Sequence, residues 1–149
     1  MSFSVSTFNL CNLQCPNQTM FGEFAWTPSQ YQRKVGWTAE QLKAQPATLM
    51  AFQEVWREQA LQDVLNTAGL QEQYQLVCHE SGEDMNVACA VHRDWGIIGT
   101  EWIVDFPAGL DWRSDDTRYE IGVNIKAQSA SQRICWEVDP LNSDGKCHN

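Results

Sequence analysis

Asn9 and Glu54 are the two residues of this chain whose types and spacing best support chemistry. Each lies at the end of an apolar, β-prone run, Thr7-Phe8-Asn9-Leu10 and Phe52-Gln53-Glu54-Val55-Trp56. A carboxylate beside an amide at a strand edge makes half of a hard-cation site. Mg²⁺ takes oxygen ligands, keeps several waters and often uses only one or two protein carboxylates. Each residue also has a plainer reading. Glu54 precedes a helical stretch and could cap it, and Asn9 could make an Asx-turn bond to nearby backbone. The pair gains its value only if the fold brings the two side chains together.

No histidine is assignable as a general base. His79 follows a strand candidate and adjoins Glu80, His92-Arg93-Asp94 reads as a turn, and His148 lies one residue from the end. Arg118, with Arg113, flanks Asp111, Asp115 and Asp116. Surface ion pairing is one reading of Arg118, and contact with a substrate phosphate is the other. Six cysteines are an even number and permit a disulfide framework, but without an export signal they read as free thiols. Cys11 and Cys15 with Cys147-His148 offer four zinc ligands, although zinc favours tighter, repeated knuckles. Nothing resembles a Gly-rich phosphate cradle, a Ser nucleophile elbow or a dinucleotide fingerprint.

The elements that must position Asn9 and Glu54 are legible in outline. Residues 3–9 alternate loosely and predict a short strand. The stretch from Cys11 to Trp26, with Pro16, Asn17 and Gly22, predicts an irregular loop. Thr27-Pro28-Ser29-Gln30 carries a capping threonine, a proline at the first helical position and a glutamine that can return the capping-box bond. The helix that follows runs to about Lys43, with Tyr31, Val35, Thr38 and Leu42 on one face, and Pro46 ends it. Thr48 to Phe52 reads as a buried strand. Strand, helix, strand in this order predicts a parallel crossover. Ligands of such units gather outside the carboxyl ends of the strands, where Asn9 and Glu54 lie.

A second helix carries Ala60, Leu61, Val64, Leu65 and Ala68 on one stripe and ends at Gly69. After it the texture turns to β, with strands expected at Tyr74–Cys78, Val87–Val91, Ile97–Val104 and Ile121–Ile125. Pro107 to Thr117 reads as an exposed loop. Residues 140–149 read as a disordered tail after a domain spanning 1–139.

Bulk properties bound the function. With 149 residues the chain is the size of one domain. A formal net charge of −9 is a poor match to a long polyanion, so extended nucleic-acid binding is disfavoured. A small phosphate ester held through a divalent cation stays compatible, because the metal supplies the positive charge. The opening residues have no positive n-region and no long apolar run, and no stretch is apolar enough to span a bilayer. A cytoplasmic location is the expectation.

Thr7-Phe8-Asn9-Leu10 followed by Met50-Ala51-Phe52-Gln53-Glu54-Val55-Trp56 resembles the opening of the endonuclease/exonuclease/phosphatase superfamily. The resemblance implies a DNase I-like α/β sandwich, of which this chain covers the N-terminal half only. It implies a Mg²⁺-dependent phosphoesterase that uses a metal-activated water. Glu54 would be the metal ligand, and Asn9 would bind metal or orient the phosphate beside it. Members cleave nucleic acids, phosphoinositides, sphingomyelin and other phosphodiesters, so the substrate class does not follow from the fold.

The departures matter as much. The family's G-D-x-N and S-D-H motifs are absent, and the strand expected near Arg133 to Glu137 carries no histidine. A fragmentary member is expected, with little or no turnover by the chain alone. An uncovered sheet face would then favour a homo-oligomer or another partner. The alternative function is a non-catalytic partner-binding module on a truncated phosphoesterase fold.

Overall fold

The computed structural model describes residues 2–79, 85–103, 122–130 and 133–138. Arg118, Arg113, the 107–117 stretch, His148 and the 140–149 tail lie outside them.

Strand β1 (Val5–Leu13) is followed by a short hairpin, β2 (Thr19–Met20) with β3 (Phe24–Ala25), and by helix α1 (Pro28–Ala44). Next come β4 (Leu49–Val55), helix α2 (Glu58–Ala68), β5 (Tyr74–Cys78) and β6 (Asn86–His92). Strands β7 (Gly96–Ile103), β8 (Gly122–Gln128) and β9 (Arg133–Val138) complete the order. A four-stranded sheet runs β1-β4-β6-β5 and a three-stranded sheet runs β7-β8-β9. The β1–β4 pair is parallel, as the crossover predicts, and every other described pairing is antiparallel.

The start of α1 follows its sequence signature. Thr27 accepts from the Gln30 N–H at 3.3 Å, Gln30 Oε1 accepts from the Thr27 N–H at 3.0 Å, and Pro28 stands at the first helical position. Thr27→Ala is therefore expected to cost about 1 kcal/mol, read as a lower urea midpoint with an unchanged slope. Helix α2 ends at Gly69, whose φ of 71° is a left-handed conformation that suits glycine.

Strand β4 is central and apolar on both faces. Met50 and Phe52 face the helices, packing with Leu61, Val64 and Leu65 of α2 and Val35 and Leu42 of α1. Leu49 and Ala51 face the second sheet, with Val123, Ile125, Ala127 and Trp95. Period-two alternation of one strand thus serves two cores. Tyr31 on α1 donates its hydroxyl to Asp63 on α2 at 2.7 Å and ties the helices together.

The structure departs from the sequence expectation in the 11–26 stretch. Strand β1 does not stop near Asn9 but continues to Leu13, with a register irregularity between Asn9 and Leu13. Cys11 and Asn12 take φ of 51° and 60°, and these two left-handed residues kink the strand without ending it. The hairpin then interrupts what composition alone presents as a loop.

Candidate functional site

The register of β1 against β4 is pinned from its start to Asn9, ahead of the irregularity between Asn9 and Leu13. At the start, the Thr48 N–H donates to Ser4 Oγ at 3.0 Å and the Ser4 N–H donates to Thr48 Oγ1 at 3.2 Å. In the middle, Gln53 Nε2 donates to Thr7 Oγ1 at 3.0 Å. At the carboxyl end Asn9 stands opposite Gln53, which sets its amide next to Glu54.

There Asn9 Nδ2 donates to Glu54 Oε1 at 2.9 Å, and the Asn12 N–H donates to Glu54 Oε2 at 2.9 Å. Both carboxylate oxygens are held, each by one donor. The Cys11 N–H donates to Asn9 Oδ1 at 2.8 Å, so Asn9 does make its Asx-type bond. The two readings of Asn9 coexist because its amide has two ends. Glu54 does not cap the next helix: Arg57 holds the N-cap position of α2 and makes no side-chain cap bond.

Glu54 itself takes φ of 60°. A left-handed glutamate costs about 1–3 kcal/mol, and such residues collect where the surrounding structure over-determines them. Here the constraint is visible. The β4–β6 register shifts between Phe52 and Val55, and beyond the shift the Trp56 N–H returns to the Leu13 carbonyl at 2.9 Å. The turn at Glu54 swings its carboxylate towards β1.

Asn12 is the hub that sequence reasoning missed. Besides its N–H bond to Glu54, its Oδ1 accepts from the Trp56 indole at 3.1 Å and its carbonyl from the Trp26 indole at 2.8 Å. Lys34 on α1 is a second residue that no sequence signal marks. Its ammonium lies 5.2 Å from the Trp26 ring centroid. Burial pushes the Lys34 pKa below its ordinary value, while the Cys11 and Glu54 charges pull it back up. A third polar residue, Asn86, is buried and pairs with Val55 at the same strand edge. No local motif marks these three: Asn12 reaches Glu54 through the kink in β1, Lys34 comes on the crossover helix, and Asn86 comes through the antiparallel β4–β6 pairing.

Other candidates lie elsewhere. His79 packs edge-on against Trp102 at 4.9 Å, and its buried Nδ1 makes no hydrogen bond. His92 Nδ1 lies 3.4 Å from Asp94 Oδ2, in the turn expected there, at the opposite end of the sheet from Glu54. Cys11, Cys15, Cys78 and Cys89 are free thiols, and burial pushes those of Cys15 and Cys89 upward. Among the described residues no three of His, Cys, Asp and Glu gather in a metal-ligating group.

No family model matches the sequence, and no curated protein matches it. Solved structures do match by fold. TDP2 from Caenorhabditis elegans gives a TM-score of 0.61 at 15% identity, over 89% of this chain and 33% of its own. D. rerio TDP2, complexed with a single strand DNA product, gives 0.60 at 12%, over 91% of this chain and 44% of its own. An endonuclease/exonuclease/phosphatase family protein from Bacteroides thetaiotaomicron gives 0.57 at 14%, over 91% and 49%.

At these identities the likeness is one of fold. The chain carries the DNase I-like endonuclease/exonuclease/phosphatase fold and spans a third to a half of the length of these structures. The α/β sandwich implied by the two opening motifs is thus the architecture observed. Among the described residues no helix is long and apolar enough to cross a membrane.

Proposed function

We propose that the Asn9–Glu54 edge is the metal-holding part of a Mg²⁺-dependent phosphoesterase site. The carrying observation is a carboxylate fixed from both sides, on strained backbone, at the carboxyl end of the parallel pair. A carboxylate oxygen that accepts one hydrogen bond keeps a lone pair for a cation. Glu54 fits Mg²⁺ in this respect, as a single carboxylate ligand whose remaining positions would be water and substrate oxygens. Bound there, the ion would polarise a phosphoryl oxygen and activate water.

The chain's own residues have separate tasks. Glu54 holds the cation. Asn9 and Asn12 orient Glu54, the first through its amide and the second through backbone, so the carboxylate is organised before any ligand arrives. Lys34 adds positive charge on the helix side, suited to a phosphate oxygen. The fold supports the reading, since solved proteins of this fold include one described as an endonuclease/exonuclease/phosphatase family protein. The substrate class is the phosphate ester.

Titrating Mg²⁺ into ¹⁵N-labelled chain tests the assignment without depending on turnover. The backbone amide signals of Cys11, Asn12 and Glu54 are expected to move together and saturate, while those of His92 and Asp94 stay still. Uniform or absent shifts at tens of millimolar Mg²⁺ would remove the assignment. Asn9→Ala is expected to weaken Mg²⁺ about 10- to 100-fold, as loss of an orienting partner does at metal sites. Unchanged calorimetric affinity in that variant would mean that Asn9 serves only its turn.

A further inference from the structure

Among the described residues β1 is an edge strand, bonded to β4 on one side only. The Leu49 N–H donates to the Ser4 carbonyl at 3.0 Å, and the direction of backbone groups alternates along a strand. Those of Ser6 and Phe8 therefore face β4, and those of Val5, Thr7 and Asn9 face outward. The outer edge presents the N–H donors and carbonyl acceptors of these three residues in a row.

Proteins protect such an edge with charge, proline, a bulge or brevity. At the other edges of the two larger sheets, β7 carries Glu101, β9 carries Arg133 and Glu137, and β5 is five residues long. Strand β1 runs for nine residues without a charge or a proline, and the first charged side chain of the sequence is Glu23. Its kink lies beyond Asn9 and leaves Val5 to Asn9 regular. Trp37 of α1 stands beside the same strand, 59% exposed and edge-on to Phe8 at 6.0 Å. An unprotected edge next to an exposed indole is a template for another strand.

We propose that this edge pairs with the same edge of a second copy, β1 antiparallel to β1, about a two-fold axis at Thr7. The register is self-complementary. Thr7 meets Thr7 and Val5 meets Asn9, so every outward N–H and carbonyl of the three residues finds a partner. Phe8 packs on the helix side of the sheet, and Ser6 shares that face by alternation. Each Phe8 then stands opposite a Ser6, a large side chain against a small one. The two four-stranded sheets join into one.

Charge favours a second copy at this edge and opposes one elsewhere. Residues 1–57, which include β1 and α1, hold four basic and three acidic side chains, so the net charge of −9 is carried by the remaining residues. Two copies that meet through β1 approach by their near-neutral parts, whereas any other approach sets acidic surface against acidic surface. A basic partner would be drawn to that acidic remainder instead.

Sedimentation of the full chain across the micromolar range is expected to show a concentration-dependent dimer. Thr7→Lys, at an exposed position, sets two ammonium groups opposite each other and is expected to weaken that dimer at least about tenfold, the cost of like charges juxtaposed across an interface. Mixing it with Thr7→Glu is expected to restore a dimer, because the two-fold position then pairs opposite charges. Recovery in the mixture also shows that both variants are folded.

A chain that stays monomeric throughout the range overturns the proposal. A dimer that withstands Thr7→Lys overturns it too, since the contact then lies on another surface. So does a mixture of folded variants that fails to associate. If Thr7→Lys does not fold, amide hydrogen exchange of the native chain decides alone. Protection of the Val5, Thr7 and Asn9 amides that grows with concentration supports the pairing. Protection that is independent of concentration overturns it, because the edge is then covered within one copy.

Discussion

Glu54→Gln is expected to weaken Mg²⁺ binding by at least about 100-fold, because loss of groups that merely orient a metal ligand already costs about 10- to 100-fold. The substitution keeps the length and shape of the side chain and removes its charge. Its oxygen can still accept from Asn9 Nδ2, but the amide nitrogen then faces the Asn12 N–H, donor against donor. Some stability is therefore lost too, up to about 1 kcal/mol for a mismatched donor that is only partly buried. A urea melt beside the calorimetric titration separates the two effects. A folded variant with native Mg²⁺ affinity would move the cation away from this edge.

Phe52→Ala is expected to destabilise the chain by about 3–5 kcal/mol, the range for large aromatic truncations in a core. Phe52 is fully buried, on the helix-facing side of the central strand, in the same cluster as Leu61 and Val64. For a domain of this size that loss corresponds to a fall in Tm of about 10–20 °C. The position also bears on the site. The β4–β6 register shift begins at Phe52, and Glu54 takes its left-handed turn two residues on. Phe52→Leu, which keeps much of the apolar volume, is expected to recover most of the Tm. A loss below 1 kcal/mol in Phe52→Ala would mean that the layer between β4 and α2 repacks freely.

Much of the scaffold is local and was legible for that reason. The cap at Thr27, the stripe on α2 and the glycine at its end depend on residues within a turn of one another, and each formed where its spacing indicates. The alternation of β4 between two cores is likewise a property of neighbours in sequence. Strand β8 runs three residues past its expected end at Ile125, because pairing with β7 and β9 carries Lys126, Ala127 and Gln128 into the sheet. Propensity at those positions does not announce this, since the extension is stabilised by partners on both sides.

The site divides along the same line. Residue type and order alone put a carboxylate and an amide at the ends of two apolar runs joined by a helix, and a parallel crossover brings such ends together. That much followed from the sequence because parallel connection and ligand placement are general consequences of chain geometry. The tertiary structure alone decided how the pair is held. The left-handed turn at Glu54 lies where neither glycine nor a turn motif marks it, inside what reads as an apolar strand end. At Asn12 the N–H, the carbonyl and Oδ1 are each engaged, by Glu54, Trp26 and Trp56 in turn, and these long-range bonds hold the kink in place. Sequence determined which groups meet, and long-range packing determined which of their atoms face one another.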